Sequence, residues 1–325
     1  MALPPPRVLL ASTDAAARAD AGDCFRLRAH ELACLPHVIN IGVQKAGTGE
    51  LQTWLGAHPR LLPHGGEVHF FDTLRREPPC GRPRGRAALR LRYARFLWRR
   101  RRLTAAEASG KLLYEKTPAY FDQARPEVVM CAVPSARLLL MLRMPTARAV
   151  SAYRMCQREL QLKWCRSSFD AALARVLTLS GNRSVPSLRK AALRREPHFR
   201  RLLMMGQYAL HLRRWLRVVP PRRVGVVWLE QFKYDPFACL AAVEDFLGLE
   251  HHAYREMATK NSAGLWVIGK SKSSVIRPPE SRPSASSIAA LEAFYSPWQR
   301  RLKELLLNYN LSLVHTPAPP LALNT

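Results

Sequence analysis

The chain has 325 residues, of which 48% are apolar; this supports one large folded domain, or two modest ones, with a sizeable core and argues against a disordered protein. Its 51 lysines and arginines against 24 acidic residues give a net charge of +27, which predicts an anionic partner: nucleic acid, an anionic membrane, or a sulfated or carboxylated polysaccharide. An arginine excess also arises in GC-rich genomes, so charge alone does not choose among these partners.

Residues 1–35 are predicted to be a poorly structured leader, because proline, alanine and mixed charges follow one another there without a clear period. The longest apolar piece, residues 8–11, is too short for the apolar region of a signal peptide. No stretch approaches the ~20 apolar residues that span a membrane. We expect either a protein that is not targeted by this route or a chain without its anchor.

Residues 36–312 are predicted to form a single α/β domain with a central, mainly parallel sheet flanked by helices. Residues 313–325 are predicted to form a tail. Short apolar runs indicate strands buried on both faces, and the amphipathic stretches between them indicate helices. The predicted strands cover residues 38–43, 111–116, 136–143 and 224–230. The predicted helices cover residues 50–58, 145–160, 208–219, 235–249 and 284–307, the last of which Pro297 is expected to kink or break.

The first predicted strand leads into a glycine-rich turn and a helix, in the segment "GVQKAGTGEL". Such a turn directs backbone N–H groups and the positive end of the helix at one point, which suits a phosphate or sulfate. Gly42, Gly47 and Gly49 permit a close approach of the backbone. A nucleotide triphosphatase loop has its lysine directly after the last glycine, whereas here Lys45 lies inside the turn and Thr48 follows Gly47. We also see no apolar strand ending in an aspartate for magnesium, which disfavours a metal-assisted kinase or triphosphatase.

Residues 82–102 carry ten arginines and no acidic residue. One interpretation is a solvated helix face, with the apolar Leu89, Leu91, Phe96 and Leu97 turned inward. The other is a contact surface for an anionic polymer. We favour the second, because a solvated face usually mixes charges of both signs.

The seven cysteines include no CxxC pair and no zinc-finger spacing, which disfavours a metal site. Their odd number leaves at least one without a partner in the chain. Cys156 and Cys165 are close enough in the sequence to bridge, but free buried thiols are our default expectation. Sequons at Asn182 and Asn310 fit a secreted or luminal glycoprotein, although such triplets also arise by chance.

Three further segments carry side chains suited to chemistry. "GGEVHFFD" contains Glu67 and His69 between glycines and aromatic residues, and "YEKTPAYF" has Lys116 at the end of a predicted strand. "LLLMLRMPTARAVSAY" ends its strand at Arg143 and continues into a helix that carries Ser151.

Together these segments resemble the glycosaminoglycan sulfotransferases, most closely the heparan sulfate glucosaminyl 3-O-sulfotransferases, over about residues 37–308. "GVQKAGTGEL" is similar to the family's 5′-phosphosulfate loop, "EVHFFD" and "EKTPAYF" to its 3-O-sulfotransferase segments, and "LRMPTARAVSAYRM" to its 3′-phosphate motif. "GQYALHLRRWLRVVP" and the basic "LWVIGKSKS" are similar to later segments, the last nearer the N-sulfotransferase form. The resemblance implies a P-loop-like fold that depends on 3′-phosphoadenosine 5′-phosphosulfate (PAPS).

The resemblance implies in-line transfer of a sulfuryl group, without a metal, from PAPS to a hydroxyl, or an amine, of a heparan-sulfate-like polysaccharide. It assigns one group of residues to the 5′-phosphosulfate and another to the 3′-phosphate. The planar guanidinium of Arg143 suits a phosphate because it offers two parallel hydrogen bonds, although a plain surface arginine is the alternative. The implied donor-binding residues are Lys45, Ala46, Gly47, Thr48 and Gly49 for the phosphosulfate, and Arg143 and Ser151 for the phosphate.

The resemblance places the general base for the acceptor at Glu67, with His69 in support. Lys45 and Lys116 are implied to stabilise the charge that develops on the leaving oxygen. A salt-bridged structural carboxylate and a partly buried histidine are the alternative interpretations of Glu67 and His69.

A segment near the C-terminus is implied to cover the donor. Lys270, Ser271 and Lys272 belong to this basic loop, and Trp266 is implied to cover the adenine or to line the site. The alternatives are a core tryptophan and an exposed loop with no ligand.

The sequence departs from the family pattern at several positions. Gly49 replaces a residue that usually carries a hydroxyl, Met144 replaces an aspartate, and Val267 replaces a cysteine of a disulfide hairpin that is absent here. "GKSKSS" also lacks the glycine and arginine that usually follow. These differences predict a looser donor-covering loop or weaker donor binding, and an inactive relative remains an alternative.

Two other functions are compatible with the sequence. One is a non-catalytic relative that binds polyanions, and the other is a sulfotransferase acting on a small molecule or on protein tyrosine. Residues 82–102 argue against the latter, because a small acceptor needs no extended basic surface. The resemblance implies the Golgi lumen or the secretory pathway, with no nucleic-acid partner, and leaves the acceptor and the sulfated position open.

Overall fold

The computed structural model describes residues 7–28, 31–75, 79–101, 103–178, 196–269 and 282–314. The chain forms two compact units, which we describe separately. Among the described residues, the first unit comprises 7–28, 31–75, 79–101, 103–142, 214–269 and 311–314. The second comprises 143–178, 196–213 and 282–310.

The strands of the described residues form three sheets. In the first sheet, β1 pairs with β2 in parallel and β2 pairs with β3 in antiparallel orientation. The second sheet is the antiparallel pair of β9 and β10. The other five strands form a parallel sheet in the order β5-β6-β4-β7-β8. In chain order, β1 to β10 are Val8–Leu10, Cys24–Arg28, Glu31–Cys34, Val38–Gly42, Leu61–Pro63, Leu112–Lys116, Arg137–Leu142, Val224–Trp228, Thr259–Lys260 and Trp266–Val267.

The five-stranded sheet confirms the predicted α/β architecture. The four predicted strands are β4, β6, β7 and β8, and every residue of β4 and β6 is buried, as expected for strands covered on both faces. β4 precedes the others in the chain but lies between β6 and β7, with Asn40 opposite Lys116 in β6. Chain connections therefore leave β4 and β6 in opposite directions, and a cleft is expected at the carboxyl ends of these strands.

Helices alternate with these strands. All five predicted helices are present, although the segment 145–160 ends as a short π-helix after Met155, and α14 continues through Pro297 without a break. In chain order, α1 to α14 are Thr13–Arg18, Thr48–Leu55, Pro83–Trp98, Ala105–Ala108, Tyr120–Gln123, Pro126–Ala132, Pro145–Met155, Phe169–Thr178, Pro197–Met204, Tyr208–Leu216, Leu229–Tyr234, Pro236–Leu247, Tyr254–Met257 and Ala285–Asn308.

The leader expected over residues 1–35 is not poorly structured where the structure describes it. Residues 7–28 and 31–35 contain β1, α1, β2 and β3. Arg7 forms a two-point ion pair with the Asp23 carboxylate at 2.8 and 2.6 Å, and a disulfide joins Cys24 to Cys34. These contacts depend on tertiary pairing, which local sequence periodicity does not reveal.

Six of the seven cysteines form disulfides. Besides the Cys24–Cys34 bond, Cys80 pairs with Cys131 and Cys156 pairs with Cys165. The expectation of free thiols at Cys156 and Cys165 was therefore wrong. Cys239 is the buried free cysteine that the odd number requires.

The second unit has its own aromatic core. Tyr153 makes edge contacts with Phe169 and Phe199, at centroid distances of 5.3 and 5.9 Å. Tyr295 of α14 donates a hydrogen bond of 2.9 Å to the carbonyl oxygen of Leu203. Helices α7, α8, α9 and α14 therefore share one apolar cluster, which the Cys156–Cys165 disulfide adjoins.

The C-terminal part of the described chain returns to the sheet of the first unit. Ser312 pairs with Val226 of β8 as an isolated parallel bridge, and the N–H group of Leu313, the first residue of the predicted tail, donates to the carbonyl oxygen of Val226 at 2.9 Å. Residues 315–325 lie outside the described residues. Within the described part of the chain, no helix is long and apolar enough to cross a membrane.

Candidate functional site

The glycine-rich loop joins β4 to α2 at the carboxyl edge of the sheet. Gly47 is the N-cap of α2 and has φ +81°, a left-handed conformation that favours glycine. A Cβ atom at Gly47 would also lie 2.5 Å from Cδ1 of Leu229, whereas a Cβ atom at Gly49 would meet nothing within 4 Å. The loop therefore requires glycine at position 47 but not at position 49.

The other loop residues surround the start of α2. Lys45 is half-buried and has φ +68°, so a side-chain-bearing residue occupies the left-handed region here. Ala46 is fully buried and Thr48 almost so. Because the N-cap is Gly47, no side chain caps the first turn of α2, and its N–H groups suit an anion. This geometry is compatible with the predicted phosphosulfate contacts of Lys45, Ala46, Gly47, Thr48 and Gly49, which stay predictions.

Glu67 lies in the loop between β5 and α3, and both of its carboxylate oxygens are engaged. Oε1 accepts a hydrogen bond of 3.0 Å from Nζ of Lys116, and Oε2 lies 3.1 Å from Nε2 of His69. Nδ1 of His69 lies 2.7 Å from Oδ2 of Asp72. The structure thus brings the predicted Glu67, His69 and Lys116 together and adds Asp72.

These four side chains differ in their access to solvent. The Glu67 side chain is 41% exposed and that of His69 is 46% exposed, whereas Lys116 and Asp72 are 9% and 6% exposed. The Glu67 carboxylate is therefore accessible from solvent, while Lys116 contacts it from the protein side and Asp72 acts on it only through His69.

Residues after β6 hold the loop that carries Glu67. The N–H group of Val68 donates to Oγ1 of Thr117 at 2.9 Å, and the N–H group of Phe70 donates to the Tyr120 hydroxyl at 3.1 Å. His69 between them has φ +54°. The loop conformation is thus set by side chains of the "EKTPAYF" segment.

Asp72, Thr117 and Tyr120 were missed as individual residues from the sequence. Asp72 ends the "GGEVHFFD" segment three residues after His69, and Thr117 and Tyr120 follow Lys116 in the next motif. Their place within the quoted motifs was the available signal. The hydrogen-bond partners of Thr117 and Tyr120 lie about 50 residues away in the chain, and no local pattern shows such pairing.

Glu115 is a buried carboxyl group beneath this site. It is fully buried in β6, and neither of its oxygens has a hydrogen-bond partner of normal geometry among the described residues. Burial raises the pKa of Glu115 to about 8, against a smaller opposing effect of the Tyr93 and Tyr120 hydroxyls, and the nearby Asp72 raises the pKa further. Glu115 is therefore largely uncharged at neutral pH.

The predicted 3′-phosphate residues lie in the second unit. Arg143 directly follows β7, is half-buried, and accepts a hydrogen bond of 2.8 Å at its carbonyl oxygen from the Tyr208 hydroxyl. Ser151 is half-buried on α7. Lys45 and Glu67 belong to the first unit, so a shared donor site for these residues stays a prediction.

Trp266 lies on β10 of the first unit, among an aromatic ring and two cations. Its ring is 5.2 Å from that of Phe237, with Nζ of Lys260 and Cζ of Arg255 at 5.1 and 5.6 Å from the Trp266 ring. Trp266 is half-buried, so the ring is not part of the deep core. Its predicted place at the adenine stays a prediction.

The donor-covering loop falls outside the described residues, and with it Lys270, Ser271 and Lys272. In the described part of the chain, no group of three or more His, Cys, Asp or Glu side chains is arranged to hold a metal ion. Transfer without a metal stays a prediction.

Comparison with known proteins finds heparan sulfate sulfotransferases among the relatives of this chain. The mouse and human proteins named heparan sulfate glucosamine 3-O-sulfotransferase 6 are each 29% identical over 289 residues, covering 83% of this chain and 71% of theirs. Human bifunctional heparan sulfate N-deacetylase/N-sulfotransferase 3 is 28% identical over 285 residues, covering 84% of this chain and 30% of its own.

A solved structure supports the fold. A sulfotransferase from Alicyclobacillus acidocaldarius superposes with a TM-score of 0.57 at 22% identity, covering 84% of this chain and 96% of that one. The sulfotransferase domain family matches residues 35–263, a span that includes the glycine-rich loop, Glu67 and Lys116. The chain belongs to the sulfotransferase domain family and is a PAPS-dependent sulfotransferase.

Proposed function

We propose that the protein transfers a sulfuryl group from PAPS to a hydroxyl, or an amine, of a heparan-sulfate-like polysaccharide, with Glu67 as the general base. One observation carries this proposal: the Glu67 carboxylate is held at 3.0 Å from Lys116 at the carboxyl end of a parallel strand. The relatives named above are heparan sulfate sulfotransferases by name, which supports the class of acceptor.

The proposed reaction is a single displacement at sulfur. The acceptor oxygen forms a new S–O bond while the bond from sulfur to the bridging oxygen of the donor breaks. Glu67 takes the acceptor proton, and 3′-phosphoadenosine 5′-phosphate leaves. Lys45 and Lys116 place positive charge near the leaving oxygen, where negative charge develops.

The geometry supports separate roles for the two sides of Glu67. Lys116 is almost buried and donates a hydrogen bond to one carboxylate oxygen, which places a positive charge directly beside the proposed base. His69, fixed by Asp72, holds the other oxygen and orients the carboxylate. We assign His69 and Asp72 to positioning the base.

The remaining predicted residues belong to donor binding in this proposal. The glycine-rich loop from Lys45 to Gly49 binds the 5′-phosphosulfate, Arg143 and Ser151 bind the 3′-phosphate, and Trp266 lies beside the adenine. Support comes from the uncapped N-terminus of α2 and from the left-handed Gly47 that opens it.

A Glu67→Gln variant tests the base. Gln keeps the shape of the side chain but does not accept a proton, so we expect kcat with a heparan-type acceptor to fall by ~10²–10⁴. Calorimetric affinity for 3′-phosphoadenosine 5′-phosphate should stay unchanged. Glu127→Gln, at an exposed position in α6, is the matched control. Full activity of Glu67→Gln would remove Glu67 from the mechanism.

Donor binding also separates this proposal from a non-catalytic polyanion-binding relative. Measurable affinity for 3′-phosphoadenosine 5′-phosphate is expected here. If the protein does not bind 3′-phosphoadenosine 5′-phosphate but still binds heparin, the hypothesis of a non-catalytic polyanion-binding protein is favoured.

We further propose that the protein works in the lumen of the secretory pathway. Three disulfides form readily in an oxidising compartment and rarely in the cytosol. The sequon asparagine Asn310 is exposed at the end of α14, where a glycan has room. A mass decrease on enzymatic deglycosylation of the secreted protein, smaller by one glycan in Asn310→Gln, tests this assignment.

A further inference from the structure

Helix α3 presents a narrow face made of arginine. Arg84, Arg92, Arg95 and Arg99 are all exposed, and at about 100° per residue they fall within a sector of roughly 80°. At about 1.5 Å per residue, they extend over roughly 22 Å. No acidic residue occurs in residues 79–101, and none of the four arginines pairs with an acidic residue of the described chain. We call these four residues the arginine face.

The other arginines of this region have structural contacts instead. Arg90 is buried and donates to the carbonyl oxygens of Ala17 at 2.7 Å and Cys131 at 3.2 Å. Arg86 donates to the carbonyl oxygen of Cys80. The net positive charge of α3 that remains for a partner is therefore concentrated on the arginine face.

Aromatic contacts fix α3 against the loop that carries Glu67. The rings of Tyr93 and Phe96 lie 5.0 and 5.3 Å from that of Phe70, three residues after Glu67. Cζ of Arg92 lies 5.7 Å from the centroid of the same Phe70 ring. The arginine face therefore passes directly beside the segment that holds the proposed base.

A second contact attaches the C-terminal end of α3 to the loop that carries Glu67. Nε2 of His64 lies 2.6 Å from the carbonyl oxygen of Leu97, and His64 precedes Glu67 by three residues. Burial lowers the pKa of His64, which favours the neutral ring in this contact. The loop is thus attached to α3 on both sides of Glu67.

We propose that the arginine face binds a stretch of the anionic acceptor polysaccharide beyond the residue that reacts, so that chain length contributes to acceptor affinity. This inference rests on the function proposed above. Guanidinium groups pair with sulfate and carboxylate oxygens through two parallel hydrogen bonds, and a linear array of roughly 22 Å suits a linear polymer better than a single sugar.

The test compares a long and a short acceptor. In the variant Arg84→Gln, Arg92→Gln, Arg95→Gln, Arg99→Gln, we expect KM for a long heparan-type chain to rise on the order of ten- to a hundred-fold, since four exposed charge contacts are lost. KM for a short oligosaccharide and kcat should change less than about two-fold, because the Glu67 region is untouched.

A charge-matched control distinguishes this face from net charge. Arg200, Arg213, Arg217 and Arg222 are exposed and lie outside α3, and their fourfold Gln variant loses the same charge. The inference is supported if only the α3 variant loses affinity for the long chain. It is overturned if both variants lose the same affinity, or if neither does.

A further variant and a further measurement distinguish a loss of acceptor binding from misfolding and from a loss of catalysis. The smaller variant Arg84→Gln, Arg95→Gln avoids the two arginines that lie over the Phe70 and Phe96 rings, and it should still weaken long-chain binding. Calorimetric titration with heparin needs no turnover, so it tests the arginine face even if sulfate transfer is not observed. Equal loss of binding to anionic lipid vesicles or to DNA would overturn the assignment to polysaccharide.

Discussion

Gly47 and Gly49 lie two residues apart in the phosphate loop but tolerate a side chain differently. Alanine at position 47 would occupy a left-handed conformation and press on Leu229, so we expect Gly47→Ala to lose about 2 kcal/mol or more of unfolding free energy. Gly49→Ala enters open space at the start of α2, and we expect its stability to be equal or slightly higher. Thermal denaturation of the two variants checks this contrast.

The same open space at Gly49 allows a hydroxyl to be added. Gly49→Ser should lower KM for PAPS without changing Tm by more than a degree or two, because the serine hydroxyl can reach a bound anion. The alanine variant at the same position is the control for the Cβ atom alone. Equal KM values for the two would show that the missing hydroxyl is not a donor contact.

Glu115 predicts how stability depends on pH. The folded-state pKa is about 8 and the ordinary value is 4.5, so between these pH values the unfolded chain has released a proton that the folded protein keeps. The free energy of unfolding therefore falls as pH rises from about 4.5 to about 8. Glu115→Gln has no such proton, so its Tm should exceed that of the wild type at pH 8 and approach it at pH 5.

The measurement is thermal denaturation of the two proteins across this pH range. The control Glu127→Gln, at an exposed site, should show the same dependence of Tm on pH as the wild type. Parallel Tm curves for Glu115→Gln and the wild type would mean that Glu115 titrates alike in the folded and unfolded states.

At the scale of elements, α3 combines structural and binding arginines in one helix. Arg90→Met removes a buried guanidinium and leaves the carbonyl oxygens of Ala17 and Cys131 without this donor, so we expect a loss of about 2 kcal/mol or more. Arg95→Met, on the exposed face of the same helix, should leave stability nearly unchanged. Urea denaturation of both variants provides the comparison, and similar midpoints would contradict the assignment.

Elements with a strong local pattern were predictable. β4, β6, β7 and β8 are continuous apolar runs, and burial on both faces explains that pattern. β5 was missed because Leu61–Pro63 has three residues and ends in proline, too short for a period. The strands within residues 8–34 were missed because parallel pairing and a disulfide hold them, and neither leaves a local signature.

The site was predictable only in part for the same reason. The motifs indicated Glu67, His69 and Lys116, but the resemblance rather than the spacing suggested that they meet. The contact of Glu67 with Lys116 joins residues 49 positions apart. Thr117 and Tyr120 accept hydrogen bonds from the loop that carries Glu67, at positions about 50 residues away, and such partners follow from the sheet order rather than from a local pattern.

At the scale of the whole molecule, three disulfides cross-link chain segments of different lengths. The bonds within Cys24–Cys34 and Cys156–Cys165 span 10 and 9 residues, whereas Cys80–Cys131 spans 51. In the chain-entropy description, the longest loop restricts the unfolded state most, by about 4 kcal/mol against about 3 kcal/mol for the short loops.

We therefore expect the double alanine variant of Cys80 and Cys131 to have the lowest Tm of the three paired variants. The measurement is thermal denaturation of the three proteins without reductant. Cys239→Ala, which removes the free thiol, is the control for the loss of a buried sulfur. A larger loss for either short loop would mean that local packing, rather than loop length, determines the contribution of each bond.

The left-handed conformations of Lys45 and His69 have a consequence for engineering. A residue with a side chain in this region is less stable than glycine by about 1–2 kcal/mol, and in the proposed site Lys45 contacts the donor while His69 positions the base. A directed-evolution campaign that selects for heat resistance alone should enrich glycine at both positions and yield robust but inactive proteins. Libraries built on this scaffold should hold positions 45 and 69 constant.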